Sequence, residues 1–297
     1  EARLTCRRSE TGELLWRAAY PMEYEGVDSG SVYVFEDDGG GWEQTDKLLP
    51  ATLQTVGSFG YALSQSGDTL LVGAEHDNDN GTSSPAGYVF VHDAGSWTQQ
   101  RILLGGAAGS TDWFHVSVSL SGDTALIGAW RDEQNGYLSG AVWVFVRDGT
   151  QWSEEAQLRP ADGEAFDAFG FSVAVSGDTA LVGALGDDDN GSFSGSAYVF
   201  ARDAGIWTEQ AKLLPELGAP HDNFGREVSP SGDTALISSP RDDENGDSAG
   251  AAYVFTREGE TWTQQAKLLA ADGEAGDTFG HGYLSGDRAV VSAVRDD

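Results

Sequence analysis

The sequence is short of cations. Its 297 residues carry 17 Lys and Arg against 48 Asp and Glu, a formal net charge of −31. A surface of that sign repels phosphate backbones and anionic bilayers, which excludes nucleic acid as a partner and favours cations instead. Cys6 is the one cysteine, so no internal disulfide can form and cysteine usage does not report the redox compartment. No apolar run approaches the ~18 residues that a membrane span requires, so no membrane insertion is expected of this segment. The chain opens on Glu1 without a signal-peptide pattern, and the expectation is a processed start or a fragment. What is present is 39% hydrophobic residues, enough to bury a core.

The same landmarks recur every 55 residues. An aromatic-Val-Phe run starts at Tyr33, Tyr88, Trp143, Tyr198 and Tyr253, and Trp42, Trp97, Trp152, Trp207 and Trp262 follow at a fixed distance. Phe59, Phe114, Phe169, Phe224 and Phe279 keep the same step, and Ser-Gly-Asp recurs from Ser66 to Ser231 and again at Ser285. Thr11 to Phe35 aligns without gaps to Ser176 to Phe200, which makes the N-terminus a decayed copy of the repeat. The units run over residues 4–58, 59–113, 114–168, 169–223, 224–278 and a partial 279–297, about 5.4 repeats in all.

Within one unit the pattern predicts strands at Phe171 to Val175, Ala180 to Ala184, Ser196 to Phe200 and Trp207 to Leu214, separated by Gly and Asp clusters, and no helix. The second and third are continuous apolar runs, the mark of strands covered on both faces. Four-stranded antiparallel blades stacked side by side meet that requirement, so the expected fold is an all-β β-propeller of one domain spanning 1–297. Both ends fall inside a repeat, which favours an arc of a larger ring over a closed five-bladed one.

Phe-Gly at Phe59, Phe169, Phe224 and Phe279, followed by Val-Gly-Ala at Val72 and Val182 and Ile-Gly-Ala at Ile127, resembles the FG-GAP repeat, the blade unit of the integrin α-subunit head and of many bacterial surface proteins. The resemblance implies a propeller, seven-bladed in the integrins, an extracellular or cell-surface location, a role in adhesion or ligand binding, and Ca²⁺ as a possible cofactor. Two departures stand out. The integrin-type repeat holds calcium in a D-x-D-x-D-G loop between its first two strands, whereas here that connection is the short turn Ser176-Gly177-Asp178-Thr179. The third unit reads Phe114-His115 in place of Phe-Gly.

Antiparallel strand order puts the loop between strands two and three on the same face as the loop leading into the next blade. Asp187, Asp188 and Asp189 lie in the first kind of loop, with Asp77, Asp79, Asp132, Asp242 and Asp243 as counterparts, and Asp167 lies in the second kind. Crowded carboxylates raise one another's proton affinity or recruit hard cations, so these acids are candidate Ca²⁺ ligands, Asp187 and Asp167 clasping the ion together. The competing reading is a solvated Asn190-Gly191 turn, and a standard calcium loop is incomplete here because Gly186 and Ala197 stand where ligands belong.

The recurring tryptophans and tyrosines are expected to pack blades together. Residues that break the repeat are better ligand candidates, namely Trp113, Trp130 and Tyr137, aromatics in columns that hold small, charged or turn residues elsewhere. Five histidines fall in five different columns, and no G-x-S-x-G elbow is present. Carboxylate pairs are abundant enough for a glycan-cleaving enzyme, but one acidic loop per unit describes a multisite surface. The expectation is a non-enzymatic binding module with a protein or glycan partner, with a scaffold propeller as the alternative.

Overall fold

The computed structural model describes residues 6–8, 14–16, 23–24, 27–28, 30–37, 39–51, 58–77, 84–105 and 116–296. Every described element is a strand or a turn, and the described residues contain no helix. The chain divides into two compact units, Glu1–Ile127 with Val144–Glu154, and Gly128–Trp143 with Glu155–Asp297.

The first unit begins with the short strands β1 (Cys6–Arg8), β2 (Leu14–Trp16), β3 (Glu23–Tyr24) and β4 (Val27–Asp28), then a hairpin of β5 (Val32–Asp37) and β6 (Trp42–Leu48). A complete antiparallel sheet follows in the order β7 (Ala62–Ser66), β8 (Thr69–Asp77), β9 (Ser84–Asp93), β10 (Ser96–Leu104). The next sheet has the order β11 (Val116–Ser121), β12 (Thr124–Ala129), β13 (Ala141–Asp148), β14 (Gln151–Leu158), and the division between the units falls within it.

The second unit holds two further complete sheets. They are β15 (Phe169–Ser176), β16 (Thr179–Ala184), β17 (Ser196–Asp203), β18 (Ile206–Leu213), and β19 (Val228–Ser231), β20 (Thr234–Ser239), β21 (Ala251–Glu258), β22 (Thr261–Leu268). A hairpin of β23 (Phe279–Ser285) and β24 (Arg288–Ala293) ends it. The protein is all-β, and its repeated four-stranded antiparallel sheets match the blades of a propeller-like arrangement with about five repeats. We number the blades by repeat, so that β15 to β18 form the fourth and β19 to β22 the fifth.

The continuous apolar runs are covered on both faces, as their composition requires. Leu181 and Val199 of the fourth blade share one buried cluster with Phe224, Val228, Ile237 and Tyr253 of the fifth. In the first unit Val32 and Val34 pack in the same way against Phe59, Val72 and Tyr88. First strands of successive blades approach closely because their side chains are small. Ser229 Oγ accepts the backbone N–H of Leu284 at 3.0 Å, and Ser64 Oγ accepts that of Leu120 at 2.9 Å.

The Phe-Gly pair fastens one blade to the next. Phe169 bridges the backbone of Gly140, and Phe224 that of Gly195. Each ring sits edge-on in its own blade, with Phe224 at 5.3 Å from Tyr253 and 6.1 Å from Phe255. Gly225 must be glycine for two reasons, a φ of +83° and the Ser196 carbonyl oxygen 2.1 Å from where a Cβ would stand.

Fourth strands carry the tryptophans. Trp207 Nε1 donates to Glu155 Oε2 at 2.8 Å, Trp262 Nε1 to Gln210 Oε1 at 3.1 Å, and Trp152 Nε1 to Gln100 Oε1 at 2.9 Å, each reaching the preceding fourth strand. Arginines cover these rings, Arg202 at 5.1 Å from Trp207 and Arg257 at 5.4 Å from Trp262. The same arginines hold the Ser-Gly-Asp turns, Arg202 Nε to Asp178 at 2.7 Å and Arg257 Nε to Asp233 at 2.8 Å. Trp152, Trp207 and Trp262 are therefore packing residues, whereas Trp42 is 43% exposed.

Candidate functional site: an acidic loop edge with exposed aromatic pairs

In the second unit the loop between strands two and three meets the loop between blades. Gly186 N donates to Asp167 O at 3.0 Å, and Phe166 N donates to Tyr137 O at 2.8 Å. Loops of both kinds thus share one edge there, as strand order requires.

Asp187 is 3% exposed and is the centre of a charged cluster. Its Oδ2 lies 2.7 Å from Lys212 Nζ and accepts the Tyr198 hydroxyl at 3.0 Å. Its Oδ1 accepts the backbone N–H of Asp189 at 3.2 Å. Lys212 reaches two more carboxylates, Asp189 at 2.7 Å and Asp162 at 2.9 Å. Strand register explains the meeting, because Tyr198 and Lys212 are direct cross-strand partners between β17 and β18. Burial alone would lower the Lys212 pKa, but its bonds to Asp187, Asp189, Tyr198 and Asp162 outweigh that and raise it. Burial likewise raises the Tyr198 hydroxyl, so it stays protonated as a donor.

The fifth blade repeats the cluster. Lys267 lies opposite Tyr253 and contacts Asp242 at 2.8 Å and Glu244 at 2.6 Å, while the Tyr253 hydroxyl donates to Asp242 at 2.7 Å. In the third unit the lysine column holds Gln157 and the tyrosine column holds Trp143. There Arg159, from a column occupied by Leu214 and Leu269 in the next two units, meets Asp132 at 2.6 Å.

Asp167 does not join Lys212. Its Oδ2 accepts the Glu164 N–H at 2.7 Å, closing a turn, and its carboxyl is pushed up to about 6 by burial, with Asp187 adding to the rise. Asp222, its counterpart, accepts the Ala219 N–H at 2.8 Å and is also pushed up to about 6 by burial, with Asp242 and Asp243 beside it. Asp222 Oδ1 is buried without a hydrogen-bond partner. Asp188 is exposed, and Asp243 closes its own loop by accepting the Ser248 N–H at 2.7 Å. Asp77 ends β8 opposite Ser84; Asp79 lies outside the described residues.

The aromatic candidates separate. Trp113 lies outside the described residues. Trp130 is half-buried, with the Arg131 guanidinium 4.6 Å from its ring centre and Phe171 edge-on at 5.9 Å. Tyr137 is 54% exposed and pairs with Phe166, itself 51% exposed, at 5.4 Å between ring centres. One blade on, Phe193 stacks with His221 at 6.2 Å, both exposed. Phe166 and His221 occupy one column of the repeat, with φ of 76° and 72°, and Gly276, next in that column, has a φ of 96°. Sequence reasoning passed over Phe166, Phe193 and His221. The column of Phe166 and His221 reads Val56, Thr111, Phe166, His221 and Gly276, so residue type alone marks no departure there.

The fold and these loops define a propeller-type repeat protein. A model of the FG-GAP repeat matches residues 42–90, 97–145, 152–200, 207–255 and 262–297. These segments cover most of the chain, which belongs to the FG-GAP repeat family. No curated protein matches it.

Proposed function

We propose that this protein is a non-enzymatic, extracellular binding module that presents the acidic loop edge of its second unit to a protein or glycan partner. The observation that carries the reading is the Phe166 and His221 column. The loop forms equally well around Gly276, where Gly276 N donates to Asp247 O at 2.9 Å as His221 N donates to Ser192 O. A side chain at such a φ costs on the order of 1–3 kcal/mol, so the fold gains nothing from a ring there. Both rings nonetheless project partly into water, each beside a second aromatic side chain. Strain of this kind together with exposed rings supports a contact with another molecule.

The partner meets aromatic faces flanked by the exposed acids Glu133, Glu164 and Asp188. Hydroxyl-rich glycans and proteins with donor side chains both suit that surface. Retention on an immobilised panel of polysaccharides and proteins, comparing the native chain with Phe166→Ala and Phe193→Ala, tests the reading. Loss of retention with an unchanged unfolding midpoint supports it. A scaffold role in a longer surface protein is the second reading, favoured by the interlocking of one blade with the next, and it expects no retention at all.

A further inference from the structure

The aspartates of the loops between strands two and three are candidate calcium ligands by their crowding, and the side chains found around them do not fit that role. We propose that these loops carry their own cation, a strand-four lysine or its arginine substitute, and that the folded blades do not depend on calcium at Asp187, Asp242 or Asp132. Three observations converge on this.

First, the best-placed carboxylates are already joined by a cation. Lys212 Nζ lies 2.7 Å from Asp187, 2.7 Å from Asp189 and 2.9 Å from Asp162. An ammonium has three N–H donors, and three carboxylates take them. A metal ion bound by the same oxygens would have to displace an ammonium that is itself largely buried, with a side chain 16% exposed.

Second, the lysine is placed by strand register. Lys212 faces Tyr198 and Lys267 faces Tyr253, each across the third and fourth strands of its own blade. In both blades the tyrosine hydroxyl donates to the same aspartate that the lysine meets, at 3.0 Å and 2.7 Å. The aspartate, the hydroxyl and the ammonium form one unit built by the fold.

Third, where the unit is broken, the charge returns from elsewhere. Gln157 and Trp143 remove both the ammonium and the hydroxyl in the third unit. Asp132 is still buried at 7% exposure, and an unpaired buried carboxylate is costly. Arg159, two residues further along, supplies the cation at 2.6 Å and donates also to Gly140 O at 3.1 Å. A loop designed around a bound metal ion would have no use for this substitution.

The same geometry makes a positive prediction, that removing the ammonium creates a metal site. The test is Lys212→Ala, with Lys212→Arg as the charge-keeping control, followed by calorimetric titration with CaCl₂ and thermal unfolding in EDTA, Ca²⁺ and Mg²⁺. Lys212→Ala is expected to bind one more Ca²⁺ than the native chain and to recover several degrees of its lost midpoint in millimolar Ca²⁺. The native chain and Lys212→Arg are expected to have equal midpoints in EDTA and Ca²⁺. If Lys212→Ala is unfolded in EDTA, refolding on adding Ca²⁺ supports the proposal equally. Equal calcium stoichiometry in Lys212→Ala and the native chain overturns it, as does a Lys212→Ala protein that Ca²⁺ does not restore.

Discussion

Trp207 Nε1 donates to Glu155 Oε2 at 2.8 Å, and Arg202, stacked on the Trp207 ring, reaches the same carboxylate at 3.2 Å. One glutamate on the preceding fourth strand thus receives both a ring N–H and a guanidinium. Trp207→Phe keeps the ring under Arg202 and removes the N–H, so it is expected to cost about 1–2 kcal/mol. Urea unfolding of Trp207→Phe, Arg202→Met and the double variant checks this, and the two effects should not add, because both act through Glu155.

Tyr198 is the hinge of the fourth-blade cluster. Its hydroxyl lies within hydrogen-bond distance of both Asp162, at 2.9 Å, and Asp187, at 3.0 Å. Tyr198→Phe leaves Lys212 in place, so the expected loss is about 1 kcal/mol rather than the several that an unpaired buried carboxylate would cost. Chemical denaturation at neutral pH measures it. A loss as large as that of Lys212→Ala would mean that the hydroxyl, not the ammonium, holds Asp187.

Asp222 gives a pH signature. Its carboxyl is pushed up to about 6 by burial, so the folded chain holds that proton more tightly than the unfolded chain does. The corresponding stability is fully present below the unfolded value near ~4 and is lost as pH rises through about 6. Asp222→Asn keeps an oxygen for the Ala219 N–H and cannot ionise. It is expected to stabilise the protein by about 2 kcal/mol at pH 7 and by little at pH 4. Unfolding free energies of both proteins at the two pH values check this, and an equal effect at both would contradict it.

Gly225 tests the blade junction. With φ of +83° and the Ser196 carbonyl oxygen 2.1 Å from a Cβ position, Gly225→Ala is expected to cost about 3 kcal/mol or more. Gly177→Ala, at φ +57° with open space around the Cβ position, should cost only about 1 kcal/mol. Thermal unfolding of the two variants separates close approach from backbone conformation alone.

Much of the fold was legible because the repeat states it five times. The strands expected at Phe171, Ala180, Ser196 and Trp207 are found within β15 to β18, in antiparallel order. The candidate site was legible in part. Tyr137 was visible as a departure from its column, and it is exposed beside a second ring. Trp130 looked equivalent by residue type, but no local pattern reveals that Arg131 and Phe171 lie against it. Lys212 shares its column with Lys47 and Lys267, yet its carboxylate partners are 23 to 50 residues away in sequence and meet it only through strand register and loop packing. Arg159 was harder still, since it is a compensation that makes sense only when Asp132 is known to be buried. The column of Val56, Thr111, Phe166, His221 and Gly276 becomes informative only once the φ of its last three members is known to be positive.

Retention of the native chain on immobilised polysaccharides and proteins, beside a Phe166→Ala, Phe193→Ala double variant of equal unfolding midpoint, tests most directly whether this loop edge binds a partner. The native chain is expected to be retained by at least one member of the panel, and the double variant to elute with the void. Equal retention of the two proteins would contradict binding through that edge.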